Sequence, residues 1–175
     1  MQFRQCLPYT SFIYSVQRLE INQDDLYGAP ASLEEVRVVV WRATMSPDCA
    51  MLQADVLTAY LQAFLKSKPT YIELPKKLWP AEWFDEDGNP KYRHPVLRLH
   101  KAIYGLRRSG FDWMKHADNV LQHHGWQPIH DYADSMYMKP TPKGPLVLCC
   151  YVDDLLASGP SAELYDAMNA LRAPS

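Results

Sequence analysis

The stretch that most restricts what this chain can fold into is LVLCCYVDDLLASG, residues 146–159, an apolar run interrupted by two adjacent aspartates, Asp153 and Asp154. A single buried strand through this stretch would carry both carboxylates into the core, where an unpaired charge is strongly disfavoured. A tight reversal removes the conflict: LVLCCY runs out, LLASG returns, and Val152, Asp153 and Asp154 occupy the tip of a β-hairpin. Side chains alternate along a strand, so Asp153 is expected on the face of Tyr151, with Asp154 close by as an auxiliary carboxylate.

The rest of the chain supplies the layers such a hairpin needs. With 175 residues, 47% of them hydrophobic and 22% charged, there is material for one ordinary core. SLEEVRVVVWRAT (32–44) opens with a capping box, Ser32 and Glu35, and sets Val36, Val39, Val40 and Ala43 on one helical face. AMLQADV (50–56) predicts a short strand that delivers Asp55 at its end, and LTAYLQAFLKS (57–67) a helix after it. TYIELP predicts a further strand, and residues 75–95, with Trp79, Trp83, Phe84 and the turn DEDGNP, an insertion or long hairpin. VLRLHKAIYGL predicts a strand running into a glycine. Ser109 then caps a helix with Trp113, Ala117, Val120 and Leu121 on its apolar face, ended by Gly125. DSMYMKP precedes the hairpin as a strand, and SAELYDAMNALR follows it as a helix capped by Ser161. Residues 1–30 show no pattern that assigns an element. This irregular alternation predicts an α+β fold rather than a doubly wound parallel sheet.

A net charge of −2 excludes a globally basic surface for nucleic acid, so any polyanion site is local. Lys91 to Arg108 is such a locality, with Lys91, Arg93, Arg98, Lys101, Arg107 and Arg108 and no acidic residue. Cys6, Cys49, Cys149 and Cys150 lack C-x-x-C spacing, which fits a reducing compartment, and the vicinal pair reads as small strand hydrophobes. No stretch approaches the ~20 apolar residues of a membrane span, so a soluble, intracellular chain without a membrane partner is expected. His123, His124 and His130 read as surface and turn residues.

Asp55 and the Asp153–Asp154 pair each close an apolar strand. Carboxylates brought together raise one another's pKa unless a cation neutralises them, and hard oxygen ligands at that density favour Mg²⁺ or Mn²⁺. The plainer reading is solvated turn aspartates. Composition and spacing alone end at a candidate two-metal carboxylate site.

YVDD between apolar strands resembles the catalytic motif of reverse transcriptases. Four stretches, in order, resemble the polymerase domain of Ty1/copia-type long-terminal-repeat retrotransposons: APASLEEVRVVVWRAT, LQADVLTAYLQAFLKSKPTYIELPKKLWP, LRLHKAIYGLRRSGFDWMKHADNVLQHHGW and LCCYVDDLLASG. They cover residues 29–160, and their order and spacing are more specific than any one of them. The resemblance implies a ferredoxin-like polymerase palm whose β-hairpin carries YVDD, with the fingers partial and the thumb absent. It implies that Asp55 and Asp153 are the principal metal ligands, Asp154 the third carboxylate and the Val56 carbonyl a backbone ligand, for two Mg²⁺ ions or Mn²⁺.

The same resemblance puts Tyr60 under the sugar of an incoming nucleotide, where its bulk would exclude a ribose 2′-hydroxyl, with Ala59 and Arg108 beside the nucleotide. Arg108 stands where the family has glutamine. Arg98, Lys101 and Arg107 would meet the duplex backbone. The plainer alternatives are a core aromatic at 60, a solvated helix start at 107–108 and core packing for Trp113. The implied partners are an RNA or DNA template with its primer, deoxynucleoside triphosphates, and the thumb, RNase H and integrase parts of a Pol polyprotein. The implied setting is the cytoplasm, in a virus-like particle, or the nucleus. Residues 31–160 would form the palm core, 1–30 an unassigned segment and 161–175 a helix opening the downstream region. RNA-directed DNA polymerase chemistry is the first expectation. The alternatives are a catalytically inactive palm remnant that at most binds nucleic acid or another module, and a two-metal nuclease or phosphatase.

Overall fold

The computed structural model describes residues 30–66, 69–129 and 133–172. The readings of Cys6, His130 and residues 1–29 lie outside the described residues.

The first element among the described residues is α1 (Leu33–Thr44), and both halves of its expected capping box form. The Glu35 amide donates to Ser32 Oγ at 3.2 Å, and the Ser32 amide to Glu35 Oε2 at 2.5 Å, satisfying two donors that a helix start leaves without partners. Val36, Val39 and Ala43 face inward as the spacing predicts, whereas Val40 is 41% exposed, because a helix on a sheet buries a narrower stripe than four positions.

Five antiparallel strands follow in the spatial order β1 (Cys49–Asp55), β7 (Asp154–Pro160), β6 (Leu146–Tyr151), β5 (Ala133–Lys139) and β4 (Gln127–Ile129). The face bearing Leu146, Leu148, Cys150, Leu155 and Ala157 packs under α3 (Ser109–His123) and α4 (Ser161–Ala170) through Leu121, Leu164 and Met168. The opposite face, with Met136 and Cys149, receives α1 through Val39. Helices on both faces of an antiparallel sheet bear out the α+β expectation. A core side chain such as Leu148 or Leu164 contributes roughly 1.5–3 kcal/mol by leaving water.

A two-stranded sheet, β2 (Thr70–Glu73) with β3 (Val96–Leu99), closes the excursion of residues 74–95 as a long hairpin, in line with the sequence. Trp79, Trp83, Phe84 and Tyr92 pack on one another there, with ring centroids 5.7–6.0 Å apart.

Several local expectations are corrected. The helix expected over 57–67 is a single turn, α2 (Ala59–Gln62); the chain then extends, and Leu65 and Ala102 exchange backbone bonds with His100 and Ala63. With Leu57, Leu61 and Phe64 all exposed, a longer helix would have no apolar face to bury. Neither Ser109 nor Ser161 caps its helix. Each is the first helical residue and donates its hydroxyl to a distant carbonyl, Ser109 to Ile103 at 2.5 Å and Ser161 to Asp48 at 2.6 Å. Val120 is 37% exposed, while Trp113, Ala117 and Leu121 form the buried stripe of α3. That helix ends at Gly125 (φ 81°), with the Gly125 and Trp126 amides returning to Gln122 and Leu121 in a Schellman closure. Strand β4 was concealed in sequence by Pro128, which an edge strand tolerates.

Candidate active site

Asp55 and Asp154 are paired at one end of the sheet, with Asp153 in the adjoining turn. Asp55 closes β1 and lies in register opposite Asp154, the first residue of β7, which is in turn opposite Tyr151. Cross-strand partners project from the same face, with Cβ atoms typically ~5 Å apart. The pairing corrects the face assignment made from alternation. Val152 and Asp153 form the turn, so Asp154 shares the face of Tyr151 and Asp55, and Asp153 sits at the tip. Gln53, two residues before Asp55 and on its face, donates to Asp154 Oδ1 at 3.2 Å.

The turn is tied down on two sides. The Val56 amide donates to the Asp153 carbonyl at 2.7 Å, joining the end of β1 to the tip. The Trp113 indole of α3 donates to the Val152 carbonyl at 2.5 Å. Val152 itself has φ 56°, a left-handed conformation that hairpin turns usually give to glycine.

Behind the tip, Ala59, Ala63, Ala102, Trp113 and Ala117 form a small core against which Val56, Tyr60 and Val152 pack. Tyr60 is half-buried, and its ring lies 4.6 Å from that of Tyr104. Burial, then Tyr104, then the Asp153 carboxylate hold the Tyr60 hydroxyl above the usual tyrosine range, which places Tyr60 within electrostatic reach of the tip.

The basic residues divide. Arg108 folds back on α3, its Nε 3.1 Å from Oδ2 of the buried Asp112 and its guanidinium over the Phe111 ring at 5.1 Å. Arg98, on β3, and Arg107 are exposed. Lys101 is exposed too and lies over the Phe64 ring at 5.2 Å. Burial, then Lys101 and Lys66, push His116 below the ordinary histidine range, so three basic groups gather beside α3.

The donor chemistry of Asp55, Asp153 and Asp154 suits a hard divalent cation. Among the described residues, however, no three His, Cys, Asp or Glu side chains converge as metal ligands. Sequence reasoning missed Gln53, Tyr104 and the part played by Trp113. Of these only Gln53 had a signal, its i, i−2 relation to Asp55.

The reverse transcriptase (RNA-dependent DNA polymerase) family model matches residues 13–173. This chain belongs to the reverse transcriptase family. The match bears out the resemblance to the Ty1/copia type, since the relatives are of that kind. The chain is 34% identical over 112 residues to the putative transposon Ty5-1 protein of Saccharomyces cerevisiae, 64% of this chain and 33% of that protein. It is 25% identical over 143 residues to the retrovirus-related Pol polyprotein from transposon TNT 1-94 of Nicotiana tabacum, 82% of this chain and 10% of that protein. This reverse transcriptase chain therefore spans a third or less of the curated relatives it matches. No solved structure matches it. No helix among its described residues is long and apolar enough to cross a membrane.

Proposed function

We propose that this chain carries the polymerase centre of a copia-type retrotransposon: RNA-directed synthesis of DNA, by transfer of a deoxynucleotide onto a primer 3′-hydroxyl. The observation that carries the reading is the cross-strand register of Asp55 with Asp154, with the Asp153 turn bonded to Val56. Residues 31–160 act as a ferredoxin-like palm, with 161–175 leading downstream.

Asp55, Asp153 and Asp154, with the Val56 carbonyl, would hold two Mg²⁺ or Mn²⁺ ions. Bound there, the ions supply charge neutralisation and a more acidic primer hydroxyl. The three carboxylates fix where positive charge collects. Tyr60, backed by Tyr104, forms a wall beside the tip that excludes a ribose 2′-hydroxyl. Ala59 opens the helical turn beneath the nucleotide, and Arg108, braced by Asp112, lies at its phosphate side. Arg98, Lys101 and Arg107 take the backbone of the primed template, whose binding weakens with salt. Thumb, RNase H and integrase regions of a Pol polyprotein complete the assembly inside the cell.

A second reading, a palm remnant that binds nucleic acid without turnover, is favoured by the absence of three converging ligand side chains among the described residues. Primer extension separates the two. A primed RNA template with deoxynucleotides and Mg²⁺ should be extended by the chain in its Pol context, and Asp153→Asn should abolish extension. Binding without extension would establish the remnant, and a shortened primer would assign a nuclease.

A further inference from the structure

We propose that Trp113 is a positioning residue for the YVDD turn, its indole N–H holding the Val152 carbonyl so that the strained turn keeps Asp153 and Asp154 beside Asp55. Three observations carry this. Val152 is β-branched and at φ 56°, where a Cβ crowds the backbone, so the turn does not hold this shape by its own preference. Its carbonyl accepts from Trp113 at 2.5 Å, across 39 residues of sequence. The next carbonyl, that of Asp153, accepts from the Val56 amide at 2.7 Å, so a turn that relaxed at Val152 would break its tie to the β1 end that bears Asp55.

Trp113 is suited to act as a fixed post. It is 3% exposed, and its α3 stripe continues into Ala117 and Leu121, which are packed in the core. The Val152 oxygen also accepts a long bond from Cys150 Sγ, at 3.6 Å.

The structural part of this proposal stands apart from the polymerase reading, on which only its catalytic consequence rests. In the unsubstituted chain, Trp126 is the control: it is as buried as Trp113, but its indole N–H has no hydrogen-bond partner among the described residues. The Trp113 indole proton should resonate downfield of the Trp126 proton, and the reverse order would overturn the proposal.

Trp113→Phe keeps a ring and removes the donor. It should speed deuterium exchange at the Val56 amide by roughly tenfold while the β5–β6 amides stay protected. Adding Val152→Gly, which removes the steric objection to positive φ, should restore Val56 protection. Unchanged Val56 exchange in folded Trp113→Phe, or no recovery in the double variant, would also overturn it. In primer extension, Trp113→Phe should lower kcat roughly tenfold with KM for the nucleotide unchanged, and Val152→Gly should recover it. If the unsubstituted chain extends nothing, the polymerase reading fails and the exchange measurements still decide the role of Trp113.

Discussion

At the scale of single residues, the vicinal cysteines and the turn aspartates show how neighbours in sequence part company in space. Cys149 faces α1 and Cys150 faces α3 and α4, and both are free thiols. Burial, chiefly, pushes Cys149 up to about 11 and Cys150 up to about 12. For a thiol the charged form is the deprotonated one, so the folded state retains a proton that the unfolded state releases. Their contribution is therefore whole below the ordinary value of 9.0 and is lost as pH rises through the folded values. The urea midpoint should fall from about pH 9 upward, and Cys150→Ala should flatten that fall. A slope identical in both chains would show that other groups carry it. Asp153 and Asp154 were legible as a turn from the apolar run around them. Which of them faces Asp55 was not, because alternation stops at a turn and the number of turn residues is set by Val152 adopting a conformation its side chain disfavours.

Among elements, periodicity and capping chemistry predicted well where a helix meets a full apolar layer. α1 kept its capping box and α3 its buried stripe, while α2 shrank to one turn because its neighbours offered backbone partners instead of a surface. The serine caps failed for a related reason: Ser109 and Ser161 are buried or half-buried at element junctions, where a distant carbonyl competes for the hydroxyl. Strand β7 carries a stricter requirement at Gly159 (φ 148°). A Cβ there would lie 2.7 Å from Leu146 Cδ2 and 3.1 Å from both Leu146 Cα and the Pro145 oxygen. Gly159→Ala is expected to destabilise the chain by about 2 kcal/mol or more, read as a lowered urea midpoint, since the backbone of β6 cannot move aside. A loss under about 0.5 kcal/mol would mean that the β6–β7 approach is looser than its register implies.

For the whole molecule, the five-stranded sheet between helical layers and the thinly covered β2–β3 excursion differ in how much they bury. Tyr71, Val96 and Leu97 of the excursion are exposed, while Leu146, Leu148 and Ala157 of the sheet are fully buried. Amide exchange should accordingly be faster across Thr70–Glu73 and Val96–Leu99 than across β6 and β7, and equal protection would join the two sheets into one cooperative unit. The α+β class was readable because alternating elements and one hairpin leave few other arrangements. The spatial strand order was not, since long-range pairing leaves no local signature. The opposition of Asp55 and Asp154 belongs to that unreadable part, and it has an evolutionary consequence. Their separation is set by the hydrogen-bond ladder between β1 and β7 and by no particular side chain, so a drifting copy of this gene forfeits its carboxylates by substitution at 55, 153 or 154 long before it forfeits the distance between them.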